Sequence, residues 1–326
     1  MAYPNGSPLT FTTGPQNVDE ILASTMSQYH KSLVDNIYIA IPTLRYLVSK
    51  GKKKIKDVGN GVSYIIPVIY KVNSTANSYS NDDILDTTPQ NNYTDAQYLW
   101  KQYSVSVVVT GLESMMNSGR QAIFNLVKAR IDDAEKSGKQ KLAQALFNTA
   151  PGTKDIIPIY QLVDATSSIA DINSSTNPFW QSQVTTSGSF AAQGWADLRH
   201  NFNLCSQFDD TDQPDFFVTT QNIYEYYEGT LVVLERYTST KEADAGIEAL
   251  KFKGRPFFWD PSCNSGTVYE LNSNHLELAI AGSRDWSEGG FVKPTNQDLR
   301  VNILYWGGAL VSNARRYLGR LNSVTA

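Results

Sequence analysis

Residues 61–72 read GVSYIIPVIYKV, residues 74–94 read STANSYSNDDILDTTPQNNYT, and residues 95–111 read DAQYLWKQYSVSVVVTG. From Val62 to Val72 the residues Val62, Tyr64, Ile66, Val68, Tyr70 and Val72 alternate with a second set containing Ser63 and Lys71, the period of a strand with one buried face. From Leu99 to Val109 the pattern repeats: Leu99, Tyr103, Val105, Val107 and Val109 share one face, and Gln102, Ser104 and Ser106 share the other. These two runs predict the arms of a β-hairpin. The tract between them is rich in Ser, Thr, Asn and Asp, and a connection of that length cannot form a compact core of its own. A hairpin carrying such a tip is expected to find its partners outside its own domain.

With 326 residues, 41% of them apolar, the chain can bury a large core and suits two domains, or one domain with large excursions. No apolar run approaches the ~20 residues of a membrane span, and MAYPNGSPLTFTTGPQN at the N-terminus lacks the blocks of a signal peptide. The chain is therefore expected to be made in the cytoplasm and to involve no membrane. A net charge of −4 argues against a protein whose task is to neutralise nucleic-acid phosphates. The basic run Lys50, Lys52, Lys53, Lys54 and Lys56 has no interleaved aromatic residues and reads as a solvated turn.

The first ~20 residues, with Pro4, Gly6, Pro8, Gly14 and Pro15, read as an extended arm. A short helix is predicted from Val18 to Tyr29, and an apolar stretch from Ile37 to Val48 is broken by Pro42. Helical spacing then runs from about Glu113 to Phe147, roughly 50 Å of helix at ~1.5 Å per residue, with Gly138 as a point of interruption. Its polar face carries Arg120, Lys128, Arg130, Asp132, Asp133, Glu135, Lys136 and Lys139. Beyond Leu162, Asp215–Val218 reads as a buried strand, Thr220 as a helix cap and Gln221–Tyr237 as a helix. Strand-like alternation follows at Leu250–Trp259, Val268–Leu271, Leu276–Ile280 and Leu299–Tyr305, so the class is α+β.

Chemistry leaves few traces. Cys205 with His200 or His275 and Asp260 or Asp285 supplies the residue types for a thiol hydrolase, without a local signature around the cysteine. No phosphate-binding glycine loop, zinc-protease motif, serine-hydrolase elbow or EF-hand is present, so no cofactor is expected. Asp209, Asp210, Asp212 and Asp215 could approach a hard cation, but the stretch lacks the glycine and distal glutamate of a dedicated loop, so no metal is expected either. Asn73, Asn92 and Asn173 match the glycosylation pattern and read as surface polar residues.

Taken in order, GNGVSYIIPVIY at 59–70, DAQYLWKQYSVSVVVTG at 95–111, ESMMNSGR at 113–120, Phe216–Tyr227 and LKFKGRPFFWDPSCNSGTVYELN at 250–272 are similar to the major capsid proteins of phages of the Hong Kong 97 type. The resemblance implies an α+β capsid fold: an N-terminal arm at 1–59, an extended β-hairpin loop at 60–110, and a peripheral domain with a long spine helix at 111–160. It further implies an axial domain at 161–265 and peripheral-domain strands at 266–326, with the final segment free to return to the axial domain. Such a chain has no catalytic activity. Identical copies form pentamers and hexamers that close into an icosahedral shell, the virion capsid, around double-stranded DNA held without sequence-specific binding. Scaffolding, portal and decoration proteins are further partners of such shells. The extended loop would then touch a neighbouring subunit through Tyr79, Asn81, Asp82, Asp83, Ile84 and Leu85, and the spine helix through Arg120, Lys128, Arg130 and Asp133. The cross-linking lysine and asparagine of some relatives have no identifiable counterpart, although Lys71 and Lys101 lie on the hairpin arms. A protein nanocompartment of the encapsulin kind, built on the same fold, is the alternative, and a thiol hydrolase using Cys205 is a third reading.

Overall fold

The computed structural model describes residues 41–56, 63–116, 120–207, 210–231 and 250–325. The extended arm and the Val18–Tyr29 helix therefore lie outside the described residues. Helix α1 (Pro42–Ser49) leads into strand β1 (Lys53–Lys56), then β2 (Ser63–Ile69), β3 (Tyr93–Leu99) and β4 (Lys101–Thr110). Helices α2 (Gly111–Met116), α3 (Arg120–Leu146) and α4 (Ile159–Leu162) precede β5 (Gln183–Thr186), α5 (Trp195–Cys205), β6 (Phe216–Thr219) and α6 (Gln221–Leu231). The remaining strands are β7 (Leu250–Phe252), β8 (Arg255–Trp259), β9 (Val268–Leu271), β10 (Leu276–Ala281), β11 (Ser287–Glu288), β12 (Leu299–Ser312) and β13 (Gly319–Asn322).

The described chain divides into two compact units. One takes residues 104–116, 120–138 and 288–304; the other takes the rest of the described chain. In the first unit, α2 opens with a capping box. The Thr110 N–H donates to Glu113 Oε2 at 2.8 Å while the Glu113 N–H donates to Thr110 Oγ1 at 3.3 Å, so two backbone donors at the helix start are satisfied reciprocally. Arg130 from α3 closes on the same carboxylate, donating from Nη2 to Oε1 at 2.7 Å and from Nη1 to Oε2 at 3.0 Å, and its Nη1 also reaches the Val108 carbonyl at 2.7 Å. Hydrogen bonding from Arg130 holds the Glu113 carboxyl below the usual carboxylate range.

The second unit is built around a six-stranded sheet in the order β5-β13-β9-β6-β8-β7. Its central strand β6 is buried on both faces, which is why Phe216-Phe217-Val218 reads as an unbroken apolar run. Phe216 and Val218 join one core with Leu47, Tyr98, Trp180 and Trp306, and Phe217 joins a second core with Phe190, Leu198, Phe202, Tyr227 and Phe257, the latter containing side chains of α5 and α6. Beside the first core, Arg315 donates to the carbonyls of Leu162, Asp164 and Ser167 and to Ser174 Oγ, pinning the 162–174 segment. Its burial pushes the guanidinium down to about 10.

Several expectations from sequence change here. Pro42 begins α1 instead of breaking a stretch, because at the first helical turn its missing N–H costs nothing. Part of the Lys50–Lys56 run is not a turn. Lys53–Lys56 pairs in parallel with Leu278–Ala281 of β10 and sits at the edge of its sheet. Residues 42–56, placed with the arm, are thus part of the folded body, and Tyr46 and Leu47 belong to its core. Helix α3 runs unbroken through Gly138, and its 27 residues extend about 40 Å. Strand β9, grouped from sequence with peripheral strands, lies inside the six-stranded sheet, and β13 from the C-terminal segment pairs with both β9 and β5. Residues 139–160 fall with the sheet-bearing unit and not with the rest of the spine helix.

Candidate assembly interface

The hairpin exists, with a different second arm. β2 pairs antiparallel with β3, from Ser63 opposite Leu99 to Ile69 opposite Tyr93. The run expected to be its partner forms β4 instead, which pairs with β12. The alternation in β4 is real, with Val107 and Val109 buried and Ser104 and Ser106 exposed, but periodicity sets which face is buried and says nothing about which strand lies alongside.

The inner face of the ribbon is anchored to its own subunit. Tyr64, Ile66, Val68, Ala96 and Tyr98 contribute to the first core. Tyr98 is fully buried, donates its hydroxyl to the Ser312 carbonyl at 2.8 Å and accepts the Ser312 N–H at 3.2 Å. Burial pushes that phenol up to about 12. The Gln97 N–H adds a bond to the Ala170 carbonyl at 3.1 Å. The stem therefore finds partners inside its own domain, contrary to the expectation for the whole hairpin.

The outer face and the tip do not. Ile65, Ile69, Tyr93 and Leu99 are exposed on the opposite side of the same ribbon, and beyond it Val72, Tyr79, Ile84 and Leu85 are exposed as well, Ile84 completely. Singly exposed apolar residues are ordinary, whereas a group of them on one projecting element marks a contact surface. The tip keeps its shape through local turns. Asn73 Oδ1 accepts from the Thr75 N–H at 3.0 Å, Asp83 Oδ2 from the Ser80 N–H at 2.7 Å, and Asp86 Oδ1 from the Thr88 N–H at 3.0 Å. Across the loop, Ser74 Oγ donates to Gln90 Oε1 at 2.9 Å and the Tyr70 hydroxyl to the Asn91 carbonyl at 2.7 Å. These bonds spend the polar groups on the loop itself and leave its apolar side chains outward.

The residues singled out from sequence separate into groups. Tyr79, Asn81, Asp82, Asp83, Ile84 and Leu85 all lie exposed on one loop, with Asp83 engaged in its turn. On the spine helix, Lys128 and Asp133 are exposed, and the Arg120 side chain lies outside the described residues. Arg130 is occupied within its own unit by Glu113 and Val108. The outer-face residues Ile65, Ile69, Tyr93 and Leu99 form a second apolar face that a strand with one buried face does not predict. The signal available was Tyr93 and Leu99 at even spacing across β3.

The hydrolase residues do not converge. Cys205 is buried, with its thiol pushed well up by desolvation and by the nearby Glu270. His200 is exposed, while His275 faces Asn313 Oδ1 at 2.8 Å and Asp212 Oδ1 at 3.1 Å. Asp260 accepts from the N–H and Oγ1 of Thr43, tying down the start of α1. Asp215 binds the N–H and hydroxyl of Ser273, and no cluster of metal-ligating side chains occurs among the described residues.

No family model and no curated protein matches the sequence. Solved structures do. The capsid subunit of cyanophage A-1(L) is 17% identical over 91% of this chain and 96% of its own, with a TM-score of 0.67. This chain has the Hong Kong 97-type capsid fold. The capsid of Myoviridae phage XM1 (12% identity, 91% and 95% covered, TM-score 0.56) has the same fold. So does the SrpI encapsulin of Synechococcus elongatus, at 12% identity over 92% of this chain and 94% of its own, with a TM-score of 0.54. The capsid fold is spanned nearly end to end, and no described helix is long and apolar enough to cross a membrane.

Proposed function

We propose that this chain is a phage major capsid protein. Copies of it self-assemble through pentamers and hexamers into a closed icosahedral shell, the virion capsid, that encloses double-stranded DNA without reading its sequence. The observation that carries the reading is the β2–β3 ribbon on a capsid fold: its inner face is tied to its own subunit while its outer face and tip present Ile65, Ile69, Tyr93, Leu99, Ile84 and Leu85 to solvent. An exposed apolar surface that is heterologous, unlike the surface it meets, joins identical chains into rings when the rotation closes. Tyr79, Asn81, Asp82, Asp83, Ile84 and Leu85 form the loop's contact with the neighbouring subunit, and Arg120, Lys128 and Asp133 the contacts of the spine helix. Arg130 serves its own subunit. The role is structural and not catalytic, in keeping with a buried Cys205 thiol, an exposed His200, and His275 and Asp260 engaged in unrelated hydrogen bonds. The six-stranded sheet with α5 and α6 corresponds to the axial domain, and the unit containing the first part of α3 to the peripheral domain. Scaffolding, portal and decoration proteins are the expected further partners.

Negative-stain imaging of the purified full-length chain tests this reading: closed particles support it, and dispersed monomers at every concentration overturn it. The likeness to an encapsulin favours a second reading, a protein compartment. Particle contents decide between the two, since a virion shell holds genomic DNA and a compartment holds a cargo protein.

A further inference from the structure

At the centre of the six-stranded sheet, where an apolar residue would be ordinary, β9 carries Glu270. It lies opposite Phe217 of β6 and Gly319 of β13. The side chain is fully buried, and neither carboxyl oxygen makes a well-formed hydrogen bond among the described residues. The donor bearing on it is the Asn201 amide of α5, itself buried and also without a well-formed bond at Nδ2. Thr185 Oγ1 donates to Asn201 Oδ1 at 2.9 Å, which occupies the amide oxygen and leaves the NH2 for the carboxyl. Helix α5 comes down on the sheet so closely that a Cβ added at Gly319 would lie 2.5 Å from Asn201 Nδ2 and 2.6 Å from Cys205 Sγ.

A carboxylate in such a place would lose its hydration with too few donors in exchange, a penalty that outweighs one amide hydrogen bond. The groups facing it are few. On α5 they are Asn201 and the Cys205 thiol; from the β7–β8 turn comes Lys253, whose ammonium is held at 2.9 Å by Asn203 Oδ1 and 4.0 Å over the Phe202 ring. Desolvation first, and then Arg199 and Arg255 beside it, push the Lys253 ammonium below its usual range. Lys253 is exposed, so its attraction is screened and does not replace a direct partner.

We propose that Glu270 is a protonation-controlled latch: packed as the neutral acid between α5 and the sheet it holds the helix down, and when it ionises the helix lifts and admits water. The device is triggered by alkali. Buried carboxyls titrate as high as about pH 8–9, and opening that exposes Glu270 releases one proton, so the opening equilibrium rises up to about tenfold per pH unit within its window.

The test is hydrogen exchange of the 195–205 amides in the full-length chain, corrected for intrinsic exchange, from about pH 6 to about pH 9. Wild-type protein should show the steep rise, Glu270→Gln should be flat, and Lys253→Gln and Cys205→Ser should keep the wild-type slope. An equal slope in wild type and Glu270→Gln, or loss of the slope in Lys253→Gln, overturns the proposal. Should Glu270→Gln fail to fold, infrared titration of wild-type protein decides. A carboxylic-acid carbonyl band that persists at neutral pH and vanishes as α5 opens supports the latch, and its absence at neutral pH refutes it.

Discussion

Replacing Ile84 and Leu85 together by serine should disable assembly while leaving the subunit intact. Ile84 is 100% and Leu85 57% exposed in the isolated chain, so Ile84 adds nothing to folding and Leu85 little. Full burial of an aliphatic side chain of this size is worth about 1.5–3 kcal/mol. Scaled by those exposures, the pair has about 2.5–4.5 kcal/mol to gain at a neighbour's surface. Association also costs translational and rotational freedom, but that cost is common to both proteins and cancels in the comparison. At 1.4 kcal/mol per factor of ten, each contact should weaken by roughly 10² to 10³. Two measurements are needed: light scattering against concentration to find the onset of particle formation, and thermal unfolding of unassembled subunits. A raised onset with an unchanged unfolding midpoint supports the assignment. The reasoning fails if particles form at the wild-type concentration, or if the unassembled variant itself unfolds earlier.

Three further outcomes concern the subunit. Arg130→Met leaves the Glu113 carboxylate buried without its guanidinium partner; it should cost about 3 kcal/mol, the low end for breaking a buried pair because Arg130 keeps some solvent contact, read as a shift in urea midpoint at constant slope. Because Glu113 titrates below its unfolded value of about 4.3, its contribution is complete above that pH and is lost as pH falls through the lower folded value. Wild-type thermal stability should accordingly drop on acidification more steeply than that of Arg130→Met, and parallel curves would refute the linkage. Gly319→Ala places a methyl group against Asn201 and Cys205 and should destabilise by about 1–3 kcal/mol through overpacking, visible as faster exchange of α5 amides.

What could be read from the sequence depended on how local the cause was. The inward set Tyr64, Ile66 and Val68 is legible because a strand's faces alternate residue by residue. The true partner strand is hard to see, since Thr94 and Ala96 are small or polar and only Tyr98 announces the buried face of β3. Trp100 then separates β3 from a far stronger alternation in β4, which attracted the pairing. Lys53–Lys56 has no strand signature of its own: three of its four residues are lysine, and its extended form comes from β10, more than two hundred residues away in the chain. Glu270 is illegible for the same reason, as its burial is imposed by α5 descending over Gly319. Ile84 and Leu85, by contrast, stand out as an apolar pair inside a polar tract, a contrast that needs no tertiary information.

The ribbon's two faces solve a problem of timing. A long polar loop free to wander would lose much conformational entropy whenever it docked on a neighbour, at about 1–2 kcal/mol per ordered residue. Here much of that ordering is done during folding: Tyr98 fastens the stem to Ser312, Tyr70 closes the mouth of the loop on Asn91, and the Asx turns at Asn73 and Asp86, with the Ser80–Asp83 turn, fix its tip. Assembly then has mainly apolar side chains left to bury. Cutting those turns, for example by Asp86→Ala, should lower the association constant although Asp86 supplies no apolar area and is not one of the contact residues. An association constant unchanged in that variant would mean that contact, and not preorganisation, carries the loop's contribution.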